Sequence, residues 1–354
     1  MAKFKIIMVK HGYPSVEPER QVVTNAGGEF FDGESLTDQE EDKLCAEADG
    51  ILVRWRKITP EMIKTYHRCK IIVRFGVGTD NVDVNAATEA GIMVGHLPTY
   101  CLDDVSNHAI ALLLACVRRL IPTHQKLTRG GWDPNPPEPI HRTAGKTLGL
   151  VGFGNIAQSV ARKMQGWSMR LLATDPFVDP ERATALGVRL VDLDTLLRES
   201  DYVSLHVPLL PETRHLMNER SFSLMKPGAI LVNTARGPVV DAKALLGALE
   251  SKRVSQAALD VFEEEPPPLG SPLRTHPSMI LTDHVAWYSE ESQAELKVTA
   301  AEEAVRVCTG GLPKSIANPD VLQRIGRLKD WTPNDTYRWQ VKRLEKLTSA
   351  TRSG

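Results

Sequence analysis

The sequence predicts an α/β protein of two domains: a doubly wound parallel sheet in the second half of the chain, and a smaller α/β domain ahead of it. Three observations carry this expectation. The chain has 354 residues, longer than the roughly 250–300 at which a single core stops growing. Short apolar runs alternate with helical patterns along most of it, as in parallel sheets with crossover helices. And one stretch near residue 150 sets a strand, a glycine turn, a helix and a second strand in direct succession.

That stretch, TLGLVGFGNIAQSVARKMQGWSMRLLATD, covers 147–175. Residues 148–151 have the length and apolarity of a buried parallel strand. The turn Gly152-Phe153-Gly154-Asn155-Ile156-Ala157 follows as G-x-G-x-x-A. A helical pattern with Ile156, Val160 and Met164 on one face leads to a strand over 169–173 and then to Asp175. Gly152 permits the tight turn, Gly154 lets a pyrophosphate approach the backbone, and Ala157 lets helix and strand pack closely. The N–H groups and dipole of the helix N-terminus favour phosphate charge. Asp175, 23 residues after Gly152, can accept from a ribose 2′-OH and would repel a 2′-phosphate. The arrangement is the Rossmann unit, and NAD is expected over NADP.

Composition narrows the remaining classes. Hydrophobic residues are 42%, charged residues 25%, and the net charge is −1. That balance is ordinary for a globular protein and gives no electrostatic case for nucleic acid or membrane as a partner. No apolar run approaches the roughly 18 residues that span a bilayer. The opening MAKFKIIMVKHGYP has a charge inside its apolar stretch and reads as a first strand, not a secretory signal. Five scattered cysteines, Cys45, Cys69, Cys101, Cys116 and Cys308, suit reduced thiols in the cytoplasm and form no metal-ligand pattern.

Taken in order, strands are expected over 5–9, 50–53, 70–74 and 92–94, with helices over 39–48, 59–69 and 86–90. A helix over 102–120, opening at Leu102 and closing at Leu120, is more apolar than a surface helix should be. It is read as core, with part of a subunit interface. Between Gly130 and Lys146 the chain is rich in Pro and Gly and could form an arm around a second subunit. Beyond the glycine unit, strands are expected over 189–191, 202–205, 229–233, 257–259 and 279–282, with helices over 180–186, 194–199, 218–225, 241–250 and 290–309. A further helix over 335–347 is read as packing on the protein itself or on a partner.

The polar clusters of the second half follow strand ends, where open α/β sheets bind ligands. Arg236, Glu265 and His284 each follow a different strand. Together they could reduce an oxo acid: a cation for the carboxylate and carbonyl, an imidazole as proton donor, and a carboxylate that favours the protonated imidazole and fixes its tautomer.

The stretches VRFGVGTDNVD, LGLVGFGNIA, HVPLLPETRHLMN, MKPGAILVNTARGPVVD, AALDVFEEEP and the segment around His284 together resemble the D-isomer-specific 2-hydroxyacid dehydrogenases. The resemblance implies an NAD-dependent oxidoreductase of D-2-hydroxy acids and 2-oxo acids. It implies a Rossmann NAD domain over 102–286 and a smaller flavodoxin-like substrate domain over 1–101 and 287–320, with the active site in the cleft. The tail 321–354 is left unassigned. A homodimer would form through the 102–120 helix and the 130–146 arm. Arg236, Glu265 and His284 fall on the family's catalytic positions. NAD contacts fall on Gly152, Phe153, Gly154, Asn155, Ile156, Ala157, Asp175, His206, Val207, Pro208, Thr234, Ala235, Arg236, His284 and Asp260, the last toward the carboxamide. Phe75, Gly76, Val77 and Gly78 fall on the loop whose N–H groups bind the substrate carboxylate.

Two features are similar to the C-terminal-binding proteins, corepressors on this fold. The segment His284-Val285-Ala286-Trp287-Tyr288-Ser289-Glu290 would put Trp287 at the pocket edge, and Arg74 would add a second grip on the carboxylate. An NAD-sensing interaction protein is therefore the alternative. Glu265 stands where formate dehydrogenases of the family carry Gln, which argues against formate. One departure is Asp283, where the family commonly has Pro; it would lie beside His284 or point to solvent.

Overall fold

The computed structural model describes residues 3–135 and 139–331. They divide into two compact units, one up to Tyr100 and again from Ser289 onward, the other Cys101–Tyr288.

The first unit is a five-stranded parallel sheet. Its strands are β1 (Lys5–Met8), β2 (Glu29–Asp32), β3 (Gly50–Val53), β4 (Ile71–Arg74) and β5 (Met93–Gly95), in the order β2-β1-β3-β4-β5. Ile6, Ile7, Ile51, Leu52, Ile71 and Ile72 are all fully buried. Sheets covered on both faces require such continuous apolar runs. Helix Glu290–Cys308 packs on β3, β4 and helix Glu17–Asn25. Residues after it continue on the same unit: Ile316 bridges Gly95, and Asn318 both accepts from Val94 N–H (2.8 Å) and donates to Ile92 O (2.9 Å).

The second unit carries seven parallel strands: β6 (Thr147–Val151), β7 (Arg170–Thr174), β8 (Val188–Leu190), β9 (Tyr202–Leu205), β10 (Ala229–Asn233), β11 (Val254–Leu259) and β12 (Met279–Leu281). Their order is β12-β11-β10-β9-β6-β7-β8. The chain winds outward from β6 one way and then, from β9, the other. The doubly wound sheet expected from the sequence is therefore present, with its switch point between β6 and β9. Alternating side chains feed one core on each face, Leu148, Leu150 and Val160 on one, Val151, Val203 and Leu231 on the other.

Two expectations need correction. The 102–120 helix ends at Val117; Arg119 turns left-handed (φ +50°) and a second helix, Leu120–Thr128, leaves at 62°. Pro122 gives the reason, because in a continuous helix its ring would meet the carbonyl of Arg118. The 59–69 helix is only Pro60–Ile63. Helix Glu17–Asn25 and edge strand β2 were not expected, since EPERQVVTN and EFFD carry too much charge to stand out. The expected 335–347 helix lies outside the described residues. No single helix among those described is long and apolar enough to cross a membrane.

Candidate active site

At the end of β6, Gly152 has φ +86°, and a Cβ there would sit 2.8 Å from the carbonyl oxygen of His206. His206 N–H in turn donates to Val151 O at 2.7 Å. The glycine turn and the His206-Val207-Pro208 turn are thus pressed together at the switch point. A Cβ on Gly154 would meet nothing within 4 Å, so that glycine leaves an open surface. It precedes helix Asn155–Met164, whose first N–H groups lack intrahelical partners. Asp175 ties the end of β7 to this turn: Oδ2 accepts from Phe153 N–H (2.8 Å), and Oδ1 from Phe177 and Val178 N–H (2.8 and 3.1 Å). Next along the sheet, Thr234 Oγ1 is buried with no hydrogen-bond partner among the described residues. An open glycine, helix N–H groups, a strand-end carboxylate and an orphaned hydroxyl fit a dinucleotide.

Arg236 sits on a turn closed by Asn233, which accepts from Ala235 N–H (3.0 Å) and donates to Arg236 O (2.9 Å). The turns after β11 and β12 supply the other two members of the trio. His284 Nδ1 lies 2.7 Å from Glu265 Oε2, while Glu265 Oε1 accepts from Phe262 N–H at 3.0 Å. Burial raises the pKa of Glu265, but the hydrogen bond and charge of His284, with Phe262 N–H and Arg236, outweigh it and hold the carboxyl below its ordinary value. With Nδ1 committed to Glu265, Nε2 is the position for a transferable proton. Asp283 is exposed, so of the two placements open for it the one toward solvent is observed.

His284 itself is left-handed (φ +58°), a conformation uncommon outside glycine. Asp260 holds it there. Its main-chain oxygen accepts from His284 N–H (2.9 Å) and its carboxylate from Thr282 Oγ1 (2.6 Å), Val285 N–H and Ala286 N–H (both 3.0 Å). At 1% exposure, this carboxylate anchors the His284 turn, Oδ1 taking two of the three donors and Oδ2 one. His108 Nε2 completes the anchor 3.1 Å from Thr282 Oγ1. Neither Thr282 nor His108 stood out in the sequence. Trp287 packs edge-on to Tyr288, ring centroids 5.6 Å apart.

In the first unit, loop 75–78 follows β4. Its carbonyls are pinned by Leu97 N–H to Gly76 O (2.9 Å) and by His96 Nδ1 to Val77 O (2.7 Å). His96 is buried, which pulls its imidazole down to about 4 despite the pull of Val77 O the other way; it is neutral and donates from Nδ1. Arg74 lies over Gly76: a Cβ there would fall 1.6 Å from Arg74 Nη1. Two more residues belong to this cluster and were missed. Arg54, at the end of β3, lies 4.0 Å over the ring of Tyr13, and Tyr13 stands 6.3 Å from Phe75. Arg54 follows β3 as Arg74 closes β4, so the strand-end argument used for the second half of the chain would have pointed to both.

The NAD-binding domain of the D-isomer specific 2-hydroxyacid dehydrogenases matches residues 110–286. The chain belongs to this family. Hydroxypyruvate reductase of Thermotoga maritima is 40% identical over 273 residues, 76% of this chain and 88% of that one. D-3-phosphoglycerate dehydrogenase of Methanocaldococcus jannaschii is 39% identical over 308 residues, 86% of this chain and 58% of that one. The chain spans about half the length of the D-3-phosphoglycerate dehydrogenases it matches. A solved glyoxylate reductase from Paecilomyes thermophila aligns with TM-score 0.81 at 27% identity, covering 90% of this chain and 99% of that one. Membership in the dehydrogenase family establishes the Rossmann-type NAD domain and NAD as its cofactor.

Proposed function

We propose that this protein interconverts a D-2-hydroxy acid and its 2-oxo acid. The observation that carries the reading is the His284–Glu265 pair, 2.7 Å from Nδ1 to Oε2, in the same unit as the glycine turn. NAD, when bound, supplies or accepts the hydride at C2. The residues that would hold it are those of the Gly152-to-Ala157 turn, with Asp175, His206, Val207, Pro208, Thr234 and Ala235. In reduction, His284 gives its Nε2 proton to the C2 oxygen, while Glu265 steadies the charged ring through Nδ1. In oxidation, the neutral imidazole takes the hydroxyl proton. Arg236 grips the carboxylate and draws charge from the carbonyl. Arg74 and the N–H groups of Gly76, Val77 and Gly78 take the carboxylate's remaining lone pairs, Phe75 N–H being given instead to Val53 O (2.8 Å), and Trp287 borders the substrate.

We infer a homodimer as well. Leu120, Ile121 and Leu127 on the second half of the bent helix pair are exposed, as is Trp132 at 82%, and such apolar surface marks an interface. Four buried free thiols, Cys45, Cys69, Cys116 and Cys308, support a cytoplasmic setting.

The test is a panel of glyoxylate, hydroxypyruvate, larger 2-oxo acids and phosphorylated 2-oxo acids, mixed with protein and NADH and followed by NADH absorbance. At least one acid is expected to turn over, and His284→Ala to lose about 10²-fold or more in kcat while still binding NADH. NAD-dependent dimerisation with no turnover on any acid would favour the interaction-protein alternative.

A further inference from the structure

A second histidine–carboxylate pair ties together the turns after β9, β10 and β11. His215 Nε2 lies 2.6 Å from Glu263 Oε1, and Glu263 stands two residues before Glu265. The main chain of the same segment is stitched to the turn that carries Arg236. His215 N–H donates to Pro238 O (2.8 Å), Met217 N–H to Val239 O (3.0 Å), and Asp241 N–H to Met217 O (2.9 Å). Gly237 closes the contact, since a Cβ there would fall 1.8 Å from the carbonyl carbon and oxygen of Phe262. His215 therefore touches both turns, one through its backbone and the other through its imidazole.

Two features set this pair apart from an incidental surface contact. His215 is left-handed, φ +50°, where glycine would be easier, so the side chain is kept at a conformational cost. The pair is also too exposed, at 41% and 37%, to contribute much to stability, because such pairs contribute about 0–1 kcal/mol. Its effect must be geometric. Glu265 accepts from Phe262 N–H with Oε1 and meets His284 with Oε2. Any drift of the turn that holds Phe262 and Glu263 moves Oε2 off the imidazole, and small misplacements of reacting groups cost large factors in rate.

We propose that His215 is a positioning residue: through Glu263 it fixes the turn after β11 against the turn after β10, and so keeps Glu265 on His284. The kinetic part of this inference rests on the function proposed above. The pair is flanked by one more acid, Asp241, whose Oδ2 lies 4.0 Å from His215 Nδ1.

His215→Gly is the variant of choice, because it removes the imidazole and relaxes the backbone at once. The thermal midpoint should hold or rise, NADH affinity should stay, and kcat should fall five- to tenfold with little change in KM for the acid. Glu263→Ala should match it, and the double variant should be no worse than either. Glu263→Gln keeps an acceptor oxygen and should recover most of the loss. A readout independent of turnover is the NMR resonance of the proton between His284 Nδ1 and Glu265, which should move upfield or broaden in His215→Gly. Turnover within twofold of wild type, losses that multiply in the double variant, or an unmoved resonance would each overturn the proposal. If the wild-type protein reduces none of the acids, the proposed function fails instead, and the resonance alone decides for or against the brace.

Discussion

Loop 75–78 and the turn from Gly152 to Ala157 look alike in sequence. Each follows a buried parallel strand, each holds two glycines, and each is a candidate to receive an anion on backbone N–H groups. The structure separates them. At Gly154 the missing side chain leaves open space, whereas at Gly76 the corresponding space is filled by the protein's own Arg74 guanidinium. One loop is built to be approached by something from outside. The other has its cation already laid over it, so an anion proposed to bind there would meet N–H groups and a positive charge together. Gly152 is a third case, hemmed in by the main chain of His206. Glycine thus serves three purposes here: room for a ligand, room for a side chain, and room for another stretch of backbone.

The largest effect should come from Gly152. An added Cβ meets a carbonyl that cannot swing aside, and φ +86° is strained for any other residue. Gly152→Ala should lose about 2–5 kcal/mol of stability and bind NADH poorly, as read by denaturant midpoint and NADH titration. A midpoint equal to wild type would erase the distinction between Gly152 and Gly154. Gly76→Ala comes next. Its clash is with the flexible end of Arg74, so the fold survives, at φ +133° with some strain. NADH affinity should hold while KM for the 2-oxo acid rises about 10- to 100-fold, the ~1–3 kcal/mol expected when a hydrogen bond to a charged group is lost. Arg74→Ala should do the same, and the two together little more, because both remove one guanidinium from one place. Gly154→Ala is the mirror image: stability within about 0.5 kcal/mol of wild type, KM for the acid unchanged, and NADH binding weakened about tenfold. Unaltered NADH binding would mean that no pyrophosphate approaches Gly154.

How far the sequence reached follows from the same contrasts. Strands β1, β3, β4, β6, β9 and β10 were legible because unbroken apolar runs have few other destinations. Edge strand β2 was not, since its outer residues meet water and carry charge. The glycine turn and the ends of the site strands could be placed, because a chain reversal after a strand fixes where its next few residues lie. What could not be read was pairing. Glu263, Glu264 and Glu265 are indistinguishable by charge, yet Glu263 meets His215 and Glu265 meets His284. The carboxylate of Asp260, which the resemblance sets toward a carboxamide, also accepts three hydrogen bonds from its own chain, a task nothing in the sequence announced. Side-chain partners are settled by angles of a few tens of degrees at each turn, and spacing along the chain does not carry that information.

His96 offers the finest test of the comparison, because it belongs to the pinned loop and to nothing at the open one. It is neutral and donates to Val77 O, and burial has pulled its pKa from the ordinary 6.5 to about 4. The unfolded chain therefore binds a proton at a higher pH than the folded one does. The neutral form's contribution to stability is complete above pH 6.5 and is lost as pH falls from 6.5 toward 4, by at most ~1.4 kcal/mol per pH unit. His96→Gln keeps a donor for Val77 O and does not titrate. Its denaturant midpoint should be nearly as high as wild type at pH 7.5 and should decline less steeply between pH 6.5 and 5. KM for the acid belongs to the folded protein, in which the imidazole charges only near pH 4, so between pH 6.5 and 5 its pH dependence should be the same in wild type and variant, with NADH affinity flat throughout. Parallel wild-type and variant midpoint slopes would show that His96 takes no part in holding the loop, and the pinning would then fall to Leu97 N–H on Gly76 O and Phe75 N–H on Val53 O.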